Sequence, residues 1–171
     1  MKDNITLIGM PGVGKSTVGV LLAKKIGYEY ADSDLLIQKR EKRLLKEIIE
    51  QEGDDGFLRI EEDVNASLDV HRTVIAPGGS VIYGPRAMAH LKKISTVVYL
   101  YVPYEELSIR LGNLHDRGVV LRAGQTFRDL FEERTLLYER YADVTVSESG
   151  LTLSGTLEAV SAAVAPYVQV I

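Results

Sequence analysis

Asn4-Ile5-Thr6-Leu7-Ile8-Gly9-Met10-Pro11-Gly12-Val13-Gly14-Lys15-Ser16-Thr17 is the stretch on which the fold of this 171-residue chain turns. Its first five residues are short and mostly apolar with β-branched members, as a buried strand requires. Beyond Thr17, apolar residues return at helical spacing at Val18, Leu21, Leu22 and Ile26, and Gly27 supplies a C-terminal stop. Between strand and helix, Gly9 to Thr17 fits G-x-x-x-x-G-K-[ST], with a further glycine at Gly12. Glycines let the backbone turn with positive φ and bring successive N–H groups close to phosphate oxygens, while the helix N-terminus adds partial positive charge. Gly12, Val13, Gly14, Lys15, Ser16 and Thr17 are therefore the candidate nucleotide-binding residues. In such a loop the lysine reaches the β- and γ-phosphates of ATP and the Ser16 hydroxyl ligates Mg²⁺. The competing reading, a glycine-rich turn before an ordinary helix, leaves the Gly-Lys-Ser run unexplained.

Working outward, 171 residues suit one domain, 1–171, large enough for a proper core. Hydrophobic content of 46% and charged content of 26% are ordinary for a soluble globular protein. The absence of cysteine excludes disulfides and thiolate metal sites and suits a cytoplasmic location. We expect no signal peptide ahead of the first strand, and no apolar run approaches the ~20 residues of a membrane span. A net charge of −4 argues against nucleic-acid binding, so any anionic ligand must be held by local cations. We expect a monomer that takes no membrane or nucleic-acid partner.

Tyr28 to Asp32 reads as a second strand, and Leu35-Leu36-Ile37 and Leu44 to Ile49 as helices with a break near Glu41 to Arg43. Gly53 to Gly56 reads as a loop, and Phe57, Ile60, Val64 and Leu68 mark a helix running to about Val70. Further strands are expected at Arg72 to Ala76, Thr96 to Val102 and Asp143 to Ser147. Helices are expected from Pro85 to Lys93, from Pro103 to about Leu111, from Thr126 as cap to Tyr141, and from Thr156 to Val168. The glycine-punctuated segment 112–125 reads as a mobile surface loop. Strands alternating with helices imply an α/β fold with a five-stranded parallel sheet and helices on both faces. Ligands of such sheets sit beyond the carboxyl ends of the strands. The glycine loop, Asp32-Ser33-Asp34 and Pro77-Gly78-Gly79-Ser80 should then line one crevice.

In extended chain Asp32 and Asp34 point the same way, so one carboxylate could hold Mg²⁺ while the other accepts the proton of an attacking hydroxyl. The alternative is a helix N-cap ahead of Leu35. Gly78-Gly79 permits close backbone approach to a ligand, or simply turns the chain at a strand end. Arg110 and Arg117 bracket the start of the loop, where a guanidinium could neutralise a transferred phosphoryl group; Arg134 could present a planar fork to a carboxylate. The alternative is a solvated surface arginine for Arg110 and Arg117 and a surface ion pair with a neighbouring glutamate for Arg134. The histidines His71, His90 and His115 show no mutual metal-ligand spacing.

From Ile5 to about Ala163 these pieces resemble the shikimate kinase family, small P-loop kinases of the nucleoside-monophosphate-kinase type. Beyond the loop, the residues carrying the resemblance are Asp32-Ser33-Asp34, Gly53 with Phe57 and Glu61, Ala76-Pro77-Gly78-Gly79, Arg110 with Arg117, and Arg134-Thr135-Leu136-Leu137-Tyr138 before Ala142-Asp143. The resemblance implies strand order 2-3-1-4-5, a substrate-binding helical region at about 33–61 and a lid at about 112–125. It implies ATP and Mg²⁺ as cofactors, with Asp32 assisting the metal and Asp34 contacting the acceptor hydroxyl. Arg110 would lie against adenine, Arg117 would be the lid arginine, and Arg134, with Gly78 and Gly79, would bind shikimate. Lys15, Asp34 and Arg117 become the candidate catalytic residues.

Four departures stand out. Leu58 occupies the place of a family arginine that binds the substrate carboxylate; Arg59 is adjacent but rotated by about 100°. Ser80 replaces a glycine, Arg117-Gly118-Val119-Val120 replaces Arg-Pro-Leu-Leu, and Ser147 to Ser154 matches the family's adenine loop poorly. The donor side is complete, and two changes fall where shikimate should sit. The reading is transfer of the γ-phosphoryl group to an alcohol of a small hydroxy acid, shikimate first. A different hydroxy acid, an amino-acid alcohol or a polyol is the alternative, and a non-catalytic nucleotide-binding relative a further one. A GTPase-type switch would carry Asn-Lys-x-Asp, and no asparagine here precedes lysine.

Overall fold

A computed structural model describes residues 2–111 and 121–168. Strand β1 (Asn4–Ile8) is buried at all five positions because it lies at the centre of the sheet. It pairs in parallel with β3 (Thr73–Ala76) on one side and β4 (Ser95–Tyr101) on the other. Strands β2 (Glu29–Asp32) and β5 (Val144–Ser147) close the two edges, giving the order β2-β3-β1-β4-β5. All pairs are parallel, so every strand delivers its carboxyl end to the same rim. The central strands are buried along their length, save for Tyr101 at the end of β4, and the edge strands are not, as expected for a sheet covered on both faces.

Helix α1 (Lys15–Ile26) is bounded by Gly14 and Gly27, both in the left-handed region that only glycine enters cheaply. Helices α2 (Ser33–Glu41) and α3 (Leu45–Ala66) pack on one another around their own small core of Ile37, Ile48 and Val64. Helix α4 (Pro85–Ile94) begins with proline at its first turn, and α5 is Tyr104–Leu111. Helix α6 (Phe127–Tyr141) is capped by Thr126, whose Oγ1 accepts from Asp129 N at 3.1 Å while Asp129 Oδ2 accepts from Thr126 N at 2.8 Å. Helix α7 (Leu153–Val164) starts earlier than the expected Thr156 because Thr152 caps it, accepting from Gly155 N. The main core packs Leu7, Ile8, Val74, Val97, Val98 and Leu100 of the sheet against Leu22, Met88, Leu91 and Val160.

Two expectations need correction. Gly53 to Gly56 is not a loop: helical geometry continues on both sides, interrupted only at Gly53 (φ 70°, ψ 178°). The glycine kinks α3 rather than ending it, because the apolar face resumes at once with Phe57 and Ile60 against the small core. That helix also stops at Ala66, short of Val70. Among the described residues, no helix is long and apolar enough to cross a membrane.

Candidate active site

The glycine loop wraps the end of β1 with positive φ at Gly9, Gly12 and Gly14. A methyl group on Gly9 would lie 2.7 Å from the Leu100 carbonyl oxygen, and one on Gly12 would lie 2.7 Å from Leu111 Cδ2, so these two glycines let the loop seat on β4 and α5. A methyl on Gly14 would meet no atom within 4 Å among the described residues. Val13 is buried, while Ser16 and Thr17 are exposed at the first turn. Lys15 folds back over the loop, its Nζ donating to the carbonyls of Gly9 at 2.7 Å and Met10 at 3.0 Å. Burial of this ammonium, helped by the Arg134 charge and opposed by Asp34, Glu148 and Glu61, pulls its pKa down to about 8. Those partners come from four different elements, so the rim gathers them around the loop.

Asp32 and Asp34 do not share an extended segment. Asp32 is the N-cap of α2: its Oδ1 accepts from Asp34 N at 2.9 Å and Leu35 N at 3.2 Å. Asp34 is already in the first helical turn, where burial and the Asp32 charge raise its pKa while Lys15 opposes them. The expectation of parallel carboxylates in extended chain fails because the cap reverses the backbone one residue too early. Between them, the Ser33 hydroxyl donates to Asn65 Oδ1, and Asn65 Nδ2 donates to the Glu61 carbonyl at 2.9 Å. Ser33 and Asn65 are fully buried, and this chain of bonds ties the start of α2 to the end of α3.

Glu61 is the residue that sequence reasoning undervalued. It is 2% exposed, and burial, with Asp34 adding to it, pushes its pKa up to about 7 against Ser80, Arg134 and Lys15. Its Oε1 accepts from Ser80 Oγ at 2.6 Å. A methyl on Gly78 would stand 2.8 Å from Glu61 Oε2 and 3.2 Å from Asp34 Oδ1; one on Gly79 would stand 3.0 Å from an Arg134 Nη atom. Gly78 and Gly79 thus separate two carboxylates from a guanidinium. The readable signal was an acid on the inward stripe of α3, one turn from Phe57 and Val64.

Arg134, 7% exposed, leaves Nε without a hydrogen-bond partner among the described residues. Burial works against its charge, but the phenols of Tyr138 and Tyr83 outweigh it and keep the guanidinium firmly cationic. Tyr83 presents its ring face at 5.5 Å, and Tyr138 Oη donates to the Gly79 carbonyl at 2.6 Å, locking the glycine turn to α6. On the other flank, Arg110 donates to Glu148 Oε2 at 3.0 Å. Glu148, 3% exposed and immediately after β5, has its pKa raised by burial against Arg110 and Lys15. A single glutamate between serines offered no sequence signal for that burial. Leu58 is half-buried and Arg59 exposed, so the neighbouring arginine does not turn inward to replace the missing one. Arg117, with the rest of 112–120, lies outside the described residues.

The crevice therefore offers an amide-and-lysine cradle beside two carboxylates and a buried guanidinium, an arrangement able to hold a polyphosphate against a hydroxylated carboxylate. The shikimate kinase family model matches residues 11–165. A shikimate kinase from Thiobacillus denitrificans is 37% identical over 158 residues, covering 90% of this chain and 86% of that one. The structure of a shikimate kinase from Acinetobacter baumannii in complex with shikimate superposes with a TM-score of 0.83 at 30% identity, over 99% of this chain and 97% of the other. The enzyme from Aquifex aeolicus superposes with a TM-score of 0.80 at 28% identity, over 95% and 96%. With both the sequence and the sheet order in agreement, the chain belongs to the shikimate kinase family and is an ATP-dependent phosphotransferase acting on an alcohol group.

Proposed function

We propose that the acceptor is shikimate and that the product is shikimate 3-phosphate. The observation carrying this reading is that the Asp34 carboxylate lies against Gly78 and the buried Arg134 guanidinium against the adjacent Gly79, so one glycine turn has an acceptor for a hydroxyl on one residue and a cation for a carboxylate on the next. The amides of Gly12 to Thr17 and Lys15 would hold the β- and γ-phosphates of ATP. On binding, Lys15 would exchange the Gly9 and Met10 carbonyls for phosphate oxygens, which raise its pKa and restore full charge. Arg134, aided by Gly78 and Gly79, would orient the acceptor through its carboxylate. Asp34 would accept the hydroxyl proton as that oxygen attacks the γ-phosphorus and the bond to the β-bridging oxygen breaks. Arg110, anchored by Glu148, would flank the adenine, and Arg117 would add charge to the transferred group from the lid.

Ser16 and Asp32 would hold Mg²⁺, whose charge offsets that of the β- and γ-phosphates. The residues fit such an ion. Capping uses only Oδ1 of Asp32, leaving its second carboxylate oxygen outside the cap, and the Ser16 hydroxyl is exposed at the first turn of α1. No cluster of three or more His, Cys, Asp or Glu forms among the described residues, as suits a cation held mainly by substrate phosphates and water.

The test is an ATP-consumption screen with shikimate beside other small hydroxy acids, amino-acid alcohols and polyols. Shikimate should give the highest kcat/KM, and Asp34→Asn should cut kcat far more than ATP affinity. Preference for another acceptor would refute the shikimate assignment, and a loss confined to ATP affinity would remove Asp34 from the acceptor site.

A further inference from the structure

Ser80 stands where the family pattern carries a glycine, and its hydroxyl is not idle. It donates to Glu61 Oε1 at 2.6 Å. Through its main-chain carbonyl, Glu61 is also held by Asn65, itself tied to Ser33. Only Oε2 is left without a partner among the described residues, and it is buried. That oxygen faces Gly78 alongside Asp34 Oδ1: both carboxylates press on the point where a side chain at Gly78 would begin. A glycine at position 80 could not supply this bond, and Leu58 offers no cation in its place.

We propose that Ser80 is a positioning residue for the acceptor. By holding Glu61 Oε1, it aims Oε2 at a second acceptor hydroxyl, next to the one addressed by Asp34. The inference rests on the proposed function above. It assigns the chain a hydroxyl–carboxylate pair reading the polyol edge of the acceptor, apart from Arg134 at the carboxylate end. The groups facing Glu61 are Asp34 from α2, Lys15 from α1, Arg134 from α6 and Ser80 from the turn after β3. Burial raises the pKa of Glu61 to about 7, and the Ser80 bond, which favours the anion, works against that rise. Removing the hydroxyl therefore moves the Glu61 titration to higher pH.

The experiment compares unsubstituted enzyme, Ser80→Ala, Ser80→Thr and Glu61→Ala, with and without Ser80→Ala, following KM for shikimate, KM for ATP and kcat against pH. Loss of a charge-assisted hydrogen bond should raise the shikimate KM of Ser80→Ala about tenfold while ATP KM stays within about twofold. The pH at which shikimate KM changes should move upward, and Ser80→Thr, which keeps the hydroxyl, should restore both. In the Glu61→Ala background, Ser80→Ala should add nothing, because its effect runs through the missing carboxylate. An unchanged shikimate KM and pH profile in Ser80→Ala, or an additive effect on top of Glu61→Ala, overturns the inference and leaves the proposed function standing. No turnover of shikimate by the unsubstituted enzyme overturns both.

Discussion

Gly78→Ala isolates the acceptor wall with the smallest possible change. The added methyl would stand 2.8 Å from Glu61 Oε2 and 3.2 Å from Asp34 Oδ1, closer than carbon and oxygen tolerate at the first contact. Glu61 cannot swing away freely: it is 2% exposed and bound through Oε1 to Ser80. Gly78 does not need a positive φ, so the cost is crowding rather than backbone strain. Overpacking of this kind costs about 1–3 kcal/mol. Displacement of the two carboxylates from their working positions should lower kcat/KM for shikimate by roughly ten- to a hundredfold. The three atoms nearest the new methyl belong to Glu61 and Asp34, not to the glycine loop, so KM for ATP should move by less than about threefold. Steady-state ATP consumption with each substrate varied in turn reads both numbers, and a thermal melt records stability. Gly84→Ala is the control: its methyl would lie 3.0 Å from Glu62 Cγ, somewhat less tight than 2.8 Å and against a flexible aliphatic stem. If Gly78→Ala keeps kcat/KM for shikimate within about threefold, or Gly84→Ala reproduces the loss, the two carboxylates do not define the acceptor wall.

Leu58→Arg restores the cation that the family pattern carries on α3, and should lower KM for shikimate about tenfold with little change in kcat; no improvement would mean that Arg134 and the Ser80–Glu61 pair already suffice. Glu61→Gln addresses stability against pH. The pKa of Glu61 rises from 4.5 to about 7 in the fold, so its protonated form is favoured there. The corresponding stabilisation is complete below the unfolded value and is lost as pH rises through 7, a change of about 3 kcal/mol at most. Melting temperatures of the two proteins, measured from about pH 5 to pH 8, should therefore show the Glu61→Gln variant gaining relative to the unsubstituted enzyme as pH rises; a constant difference would refute the raised pKa.

Local sequence was enough wherever local physics decides. Gly9 to Thr17 announced its strand, turn and helix because glycine conformation and apolar periodicity are properties of neighbouring residues, and both survive intact in β1 and α1. Thr126 with Asp129 announced the cap of α6 for the same reason. The parallel-sheet rule already put Asp34 and Gly78 in one crevice, but the sheet order and the place of Arg134 beside them required the family resemblance as well, since spacing along the chain does not say which strands pair.

Tertiary structure alone decided the rest. Gly53 bends α3 instead of ending it, because Phe57 and Ile60 find Ile37, Ile48 and Val64 waiting. Asp32 spends one carboxylate oxygen on a helix cap, which no spacing rule could choose over the competing reading. Glu61 was legible only as an acid on an inward stripe and Glu148 not at all; packing removes both from water and raises their pKa values. Ser80 replaces a glycine of the turn, and only the fold shows Glu61, nineteen residues earlier, accepting its hydrogen bond. The glycine loop determined that this chain handles a nucleoside triphosphate. What faces that loop depends on long-range contacts between α2, α3 and the turn after β3, and those exist only once the chain has folded.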